Sequence, residues 1–393
     1  MIISKRSVYL ILISVLFLNT ASIGLVVYLP KYLAYLGIER PLIQLIMTIF
    51  PLTLFVVPPL IGKVSDKMQN RYLFILIGAS GVVLSFILFL FTQNLFLMII
   101  LSFLYGFFGA IFRIIFTLYA ELVENNTKYL SYYNSIATCG WFLGSQLGGV
   151  FIDVYGIQFI FLFLIIFSGI NLTIVLFIKE NRILILNSYE NKENKNFNNE
   201  EESKKISISI YFGLFFRNAS IKPILAVLSI IMSFHIASVT LIGFLIGLNF
   251  LIQVFLMILM GRFITEKNEK LILIVGYLCS SFAIIGYIIS TNFIGFFISQ
   301  IFIAFSFSMY WSATIVYIAQ NSTPKNKGKY MGLANSSTFS GGFIGGLLFS
   351  YLLLIFDSNY YTAMIFMIIF PFLSSISILL KFKTRSKPKP INT

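Results

Sequence analysis

The sequence predicts an all-α polytopic membrane protein, with twelve transmembrane helices arranged as two pseudo-symmetric six-helix bundles. Three observations predict it. Of the 393 residues, 58% are hydrophobic and 11% charged, mean hydropathy is +0.93, and apolar stretches long enough to cross a bilayer core recur along the whole chain. Second, a short basic segment between two apolar runs, Gly62-Lys63-Val64-Ser65-Asp66-Lys67-Met68-Gln69-Asn70-Arg71, is echoed 199 residues later. The echo is Gly261-Arg262-Phe263-Ile264-Thr265-Glu266-Lys267-Asn268-Glu269-Lys270, and the offset divides the chain into similar halves. Third, assigning loops by alternation from a cytoplasmic N-terminus places all 28 Lys and Arg inside except Lys31 and Arg40, outside, and Arg113, within the membrane. That bias puts both termini in the cytoplasm of a plasma-membrane protein. It also accounts for the net charge of +14 without a nucleic-acid partner.

Windows of membrane length place helices over 8–30, 41–61, 72–92, 95–119, 132–152 and 157–178, forming a first bundle within 1–178. The basic start and long apolar run of 1–29 read as the first membrane helix, being too long for a cleaved signal peptide. Residues 179–221, rich in Asn, Glu, Lys and Ser, form a cytoplasmic linker that cannot bury a core, with a surface-lying piece near 206–216. The second bundle, 222–381, holds helices over 222–239, 242–261, 271–290, 294–319, 331–354 and 360–381. Its first helix is short and has almost no external loop after it. The tail 382–393 is basic and contains proline, suited to anionic headgroups. Cys139 and Cys279 lie in apolar helices and read as free core residues, implying neither a disulfide nor a metal. A further repeat links the fifth and eleventh helices, where Gly140-x3-Gly144-x3-Gly148-Gly149 is echoed by Ser337-x3-Gly341-x3-Gly345-Gly346. Four-residue spacing puts these small residues on one face, where another backbone can approach closely.

The segment Gly62–Arg71 resembles the loop signature of the major facilitator superfamily, G-x-L-x-D-R-x-G-R-[KR], between the second and third helices. It keeps Gly62, Asp66 and Arg71 but has Lys67 and Asn70 at two signature positions; the second copy keeps Gly261 and Lys270 and lacks the Asp. The resemblance covers 8–381 and implies a secondary transporter working by alternating access. It further implies a gating group of Gly62, Asp66, Arg71 and Gly261. Gly62 allows a tight turn after the second helix, and Asp66, oriented by Arg71, meets the N-terminus of the eleventh helix near Tyr330 to latch the outward-facing state. Cys139-Gly140-Trp141 with Gly144 and Gly148 is similar to the Gly-Trp region of the sugar and nucleoside symporter branch. That branch's carboxylates have no counterpart in the tenth helix. Ser145-Gln146 stands where drug exporters carry Gly-Pro.

Arg113 is the one charge placed deep in a helix. A central Arg costs at least about 2.5 kcal/mol, so it should face an aqueous cavity or a partner. Glu121 lies two turns away, about 12 Å along the helix, too far to neutralise it. An unpaired cavity Arg suits a carboxylate or phosphate; a structural Arg held by carbonyls is the alternative. Further substrate-binding candidates are Asn19 in the first helix, Gln146 in the fifth, Asn249 and Gln253 on one face of the eighth, and Trp311 and Ser312 in the tenth. His235 and Glu121 are the candidate proton sites; His235 alternatively serves as a hydrogen-bonded packing residue.

These residues predict a transporter of a small solute, an organic anion bound by Arg113, with a sugar or nucleoside carrier and a multidrug exporter as alternatives. A non-transporting membrane sensor is a further class. An enzyme is not expected, because clustered acids, bases or metal ligands are missing. The sequence predicts no cofactor, and its expected partners are the solute, the bilayer and a proton or other coupling ion, in a monomer.

Overall fold

The computed structural model describes residues 5–68, 70–123, 126–178 and 206–382, and every long element among them is a helix. The first half comprises α1 (Lys5–Tyr35), α2 (Arg40–Met68), α3 (Arg71–Leu90), α4 (Leu95–Phe112), α5 (Ile114–Leu122), α6 (Thr127–Tyr155) and α7 (Ile160–Leu176). The second comprises α8 (Ile208–Ala226), α9 (Leu228–Ser233), α10 (Val239–Phe263), α11 (Glu269–Ile289), α12 (Phe293–Asn321), α13 (Pro324–Ile355), α14 (Tyr360–Met367) and α15 (Ile369–Lys381). Eleven spans among the described residues are long and apolar enough to cross a membrane. The pair α8–α9 supplies the twelfth. The linker segment 179–205 and most of the basic tail fall outside the described residues.

Several spans are broken where chemistry breaks them. Pro223 has no N–H to offer the Ala219 carbonyl. A methyl group added to Gly345 would collide with that same carbonyl, so glycine is what lets α13 lie directly against α8. The chain then steps out of helical geometry at Val227 before α9. Pro371 likewise frees the Met367 carbonyl, and Ser220 Oγ donates to it at 2.8 Å. One bond thus satisfies an orphaned acceptor and ties α8 to α14. The fourth span breaks at Arg113, where a tighter bond from Phe116 N to Arg113 O at 3.1 Å separates α4 from α5.

The seventh span differs from the sequence expectation. It starts at Ile208, not at 222, so the stretch near 206–216 is buried helix rather than a surface-lying piece. Arg217, assigned above to the cytoplasmic linker, and Lys222, counted above among the cytoplasmic cations at the start of the span, therefore lie inside the bundle. Polar Arg217, Asn218 and Lys222 lower the local hydropathy enough to hide the helix start. The expected shortness of this span disappears with the correction.

The halves pack by the same rule. Within the first, α6 lies on α1; within the second, α13 lies on α8. Across the seam, α6 meets α10 and α13 meets α2. The repeated small residues serve both contacts: Gly144 faces Thr20 of α1 and Gly341 faces Phe215 of α8, while Gly149 faces Val239 and Gly346 faces Thr48 across the seam.

The seam closes at the end opposite the basic loops. There Asp153, near the end of α6, accepts from Val239 N at 3.0 Å, Thr240 N at 2.8 Å and Ser238 Oγ at 3.0 Å. One carboxylate thus caps the first turn of α10, where the helix dipole favours negative charge. Across the seam, Ser350 Oγ also donates to Pro41 O at 2.8 Å, Arg40 Nη1 to Ser358 O at 2.8 Å, and Ser229 Oγ to Val27 O. At the basic end, a methyl group on Gly62, Gly261, Gly328 or Gly332 would meet no neighbouring element within 4 Å. These four glycines face open space.

Candidate functional site

A cavity of about 570 Å³ opens among α1, α2, α4, α5, α6 and α13. Mid-helix residues form its floor, including Asn19 and Ser22 of α1, Thr53 of α2 and Tyr105 of α4. Arg113, Tyr133, Asn134, Trp141 and Asn335 line its wall. No Asp, Glu or His is among its lining residues. A second, apolar crevice of about 240 Å³, lined by Leu, Ile and Phe side chains together with Thr48, lies between α2, α4 and α13.

Arg113 sits at the break between α4 and α5, deep in the molecule, yet its side chain is exposed because it faces the cavity. Its guanidinium carbon lies 5.7 Å from the centroid of Phe339. Lys222 reaches the same ring from the other half, its Nζ 4.0 Å from the centroid. Its stem passes over Gly342, where a Cβ would come within 2.5 Å of Lys222 Cδ. Among the described residues neither cation has a hydrogen bond or ion pair. A ring face contributes about 0.5–2 kcal/mol to a nearby cation, less than the minimum cost of about 2.5 kcal/mol for placing a charge at membrane depth. Both cations are therefore under-compensated by the protein.

Arg217 is the contrasting case. Its guanidinium donates to Ser280 Oγ at 3.0 Å, Tyr310 OH at 3.1 Å, Asn218 Oδ1 at 3.3 Å and Ser306 Oγ at 3.4 Å, and lies 4.5 Å from the Tyr310 ring centroid. It is 3% exposed. Neutral acceptors from α8, α11 and α12 surround it, so it ties the second half together and offers nothing to a ligand.

The other expected site residues are dispersed. Asn19 lines the cavity but is engaged on both sides: its amide donates to Val15 O at 2.7 Å and its carbonyl accepts from Trp141 Nε1 at 2.8 Å. Trp141, singled out by the Gly-Trp resemblance, is thereby fixed in the wall. Asn249 and Gln253 are buried and bond each other at 2.8 Å. Gln146 Oε1 is buried without a partner, Ser312 is buried in α12, and Trp311 packs on Phe307. None of these five lines the cavity. Sequence reasoning missed Tyr133, Asn134, Asn335, Phe339 and Lys222. The 199-residue offset carried a signal for Lys222: transferring α1 by it starts the seventh span well before residue 222 and sets Asn218 opposite Asn19.

The two proton candidates lie away from the cavity. His235 lies two residues beyond the end of α9, exposed at the closed end, with Nε2 2.8 Å from Tyr361 OH. Glu121 is gripped by Arg71, which donates from Nε at 2.7 Å and from Nη2 at 2.8 Å. Arg71 also donates to Asp66 at 3.0 Å and Ser65 at 3.4 Å. The signature loop is therefore stapled to the end of the fourth span. Gly62 does not make the turn after the second helix, because α2 continues to Met68; Gly261 is likewise inside α10. The helix expected to begin near Tyr330 begins at Pro324. No three His, Cys, Asp or Glu side chains gather as a metal site among the described residues.

The chain is 27% identical over 337 residues to an uncharacterized MFS-type transporter of Methanocaldococcus jannaschii, covering 82% of this chain and 84% of that protein. Its fold is that of the nucleoside transporter NupG, with a TM-score of 0.77 at 12% identity over 98% of this chain and all of that one. The human organic anion transporter MFSD10 superposes with a TM-score of 0.62 at 16% identity, over 94% of this chain and 99% of that one. At such identities the two likenesses show the fold alone. Residues 9–357 match the MFS_1 like family, and with the two-bundle fold and central cavity they establish that the chain belongs to it, as a multi-pass transporter of the major facilitator superfamily.

Proposed function

We propose that this transporter carries a small organic anion, held at Arg113, by alternating access between its two bundles. The observation that carries the reading is Arg113 itself: a cavity-facing guanidinium with no carboxylate among the lining residues. A ligand carboxylate or phosphate supplies the forked acceptor that the protein does not. The aromatic wall of Tyr105, Tyr133 and Trp141 accepts the apolar part of such a molecule.

The basic end faces the cytoplasm of a plasma-membrane protein, with both termini on that side, as the positive-inside bias requires. On that orientation the conformation is inward-facing: sealed outside by Asp153 and open inside around Gly62, Gly261, Gly328 and Gly332. In the opposite state these glycines come into contact, and Asp66, presented by Arg71, meets the N-terminus of α13 to latch the inner gate. Proton coupling through His235 or Glu121 is disfavoured, since one lies at the outer rim and the other is bound by Arg71. The transporter works as a monomer, because each bundle finds its seam within the same chain.

A second reading, a neutral nucleoside or sugar, is favoured by Asn134 and Asn335 beside the aromatic wall. Thermal stability of the purified protein across organic anions, nucleosides and sugars separates the two. Anions stabilise the wild type, and Arg113→Gln abolishes that stabilisation, weakening binding at least about tenfold. Equal stabilisation of both proteins by a neutral compound contradicts the anion reading.

A further inference from the structure

We infer that the carried solute is a dianion, one negative charge for Arg113 of the first half and one for Lys222 of the second. The inference rests on the anion reading above and deepens it.

The two head groups flank one landmark. They lie 5.7 and 4.0 Å from the Phe339 centroid, so they are no farther apart than the sum of those distances. That is within reach of a short dicarboxylate, or of a phosphate ester with charge spread over three oxygens. Arg113 lines the cavity, whose lining holds no carboxylate, and Lys222 and Phe339 lie behind that lining. Arg217 is saturated by its four neutral acceptors. Arg113 and Lys222 are therefore the two deep basic groups left for a ligand.

The location of the pair gives this consequence. Arg113 belongs to the first bundle, while Lys222 and Phe339 belong to the second. Occlusion removes water from both cations at once. A monoanion leaves one of them buried and unpaired; a dianion neutralises both and bridges the bundles through itself. A substrate with two negative charges thus favours the occluded state in a way that a substrate with one cannot.

The test is titration of the purified full chain with matched probes: succinate against butyrate, and phenyl phosphate against benzoate. The wild type binds the dianion of at least one pair about tenfold tighter than its monoanion partner. Lys222→Gln brings that ratio to within about twofold while monoanion binding persists, and Lys222→Arg restores the preference. The pair that shows the preference identifies the carrier as one for dicarboxylates or for phosphate esters. Equal affinity for both members of both pairs in the wild type, or a preference unchanged in Lys222→Gln, overturns the dianion and leaves the anion reading standing. Failure of all four probes to bind the wild type overturns both.

Discussion

A buried or membrane-embedded cation needs something to compensate it, and three arginines here meet that need in different ways. Arg217 is enclosed by neutral acceptors, Arg71 is paired with Glu121, and Arg113 faces an open cavity. The pairing at Arg71 makes a stability prediction. Both partners are nearly buried, with side chains 5% and 7% exposed. Removing one strands the other, so Arg71→Ala should destabilise the protein by about 3 kcal/mol. Arg71→Met combined with Glu121→Leu should recover most of that loss. Unfolding of the purified variants in detergent checks both, and a single mutant as stable as wild type contradicts the account. Arg113 was legible from sequence because it interrupts an otherwise uncharged apolar run. Lys222 and Arg217 were not: they follow a charged linker, and their helix reads as its continuation.

At the scale of elements, the closed end depends on one carboxylate meeting one helix start. Asp153 accepts from two backbone amides and the cap hydroxyl of α10. Charge-assisted bonds of this kind contribute about 1.5–3 kcal/mol each, enough to bias an equilibrium between two conformations of similar energy. Asp153→Asn keeps the shape and removes the charge. It should shift the population toward the state open at that end, seen as a longer spin-label distance between α6 and α10. An unchanged distance distribution contradicts the seal. Helix positions were largely readable from hydropathy, and the small-residue stripes of α6 and α13 from their spacing. Helix breaks were less so. Pro223 and Pro371 announce themselves, but the break at Arg113 has no proline, and α2 passes through Gly62 unbroken because nothing crowds it there.

For the whole molecule, the internal repeat is the strongest regularity, and it organises both fold and function. Each bundle offers one helix, α6 or α13, that packs on its own half through one set of small residues and on the other half through the next. The fold was legible because the repeat, the basic loops and the hydropathy agree. The cavity was less legible because its wall mixes residues from six helices whose facing sides no single stretch reveals: Tyr133 and Asn335 look, in sequence, like any of the other aromatic and amide residues. What unites them is the under-compensated positive charge they surround.

The most direct test of that account is charge movement on solid-supported membranes carrying proteoliposomes of the full chain. On adding an organic anion, the wild type should give a transient charge displacement that saturates with concentration, and Arg113→Gln should give none. A saturable response to a neutral nucleoside or sugar flux that is equal in both proteins, with no anion signal in the wild type, would contradict Arg113 as the substrate anchor.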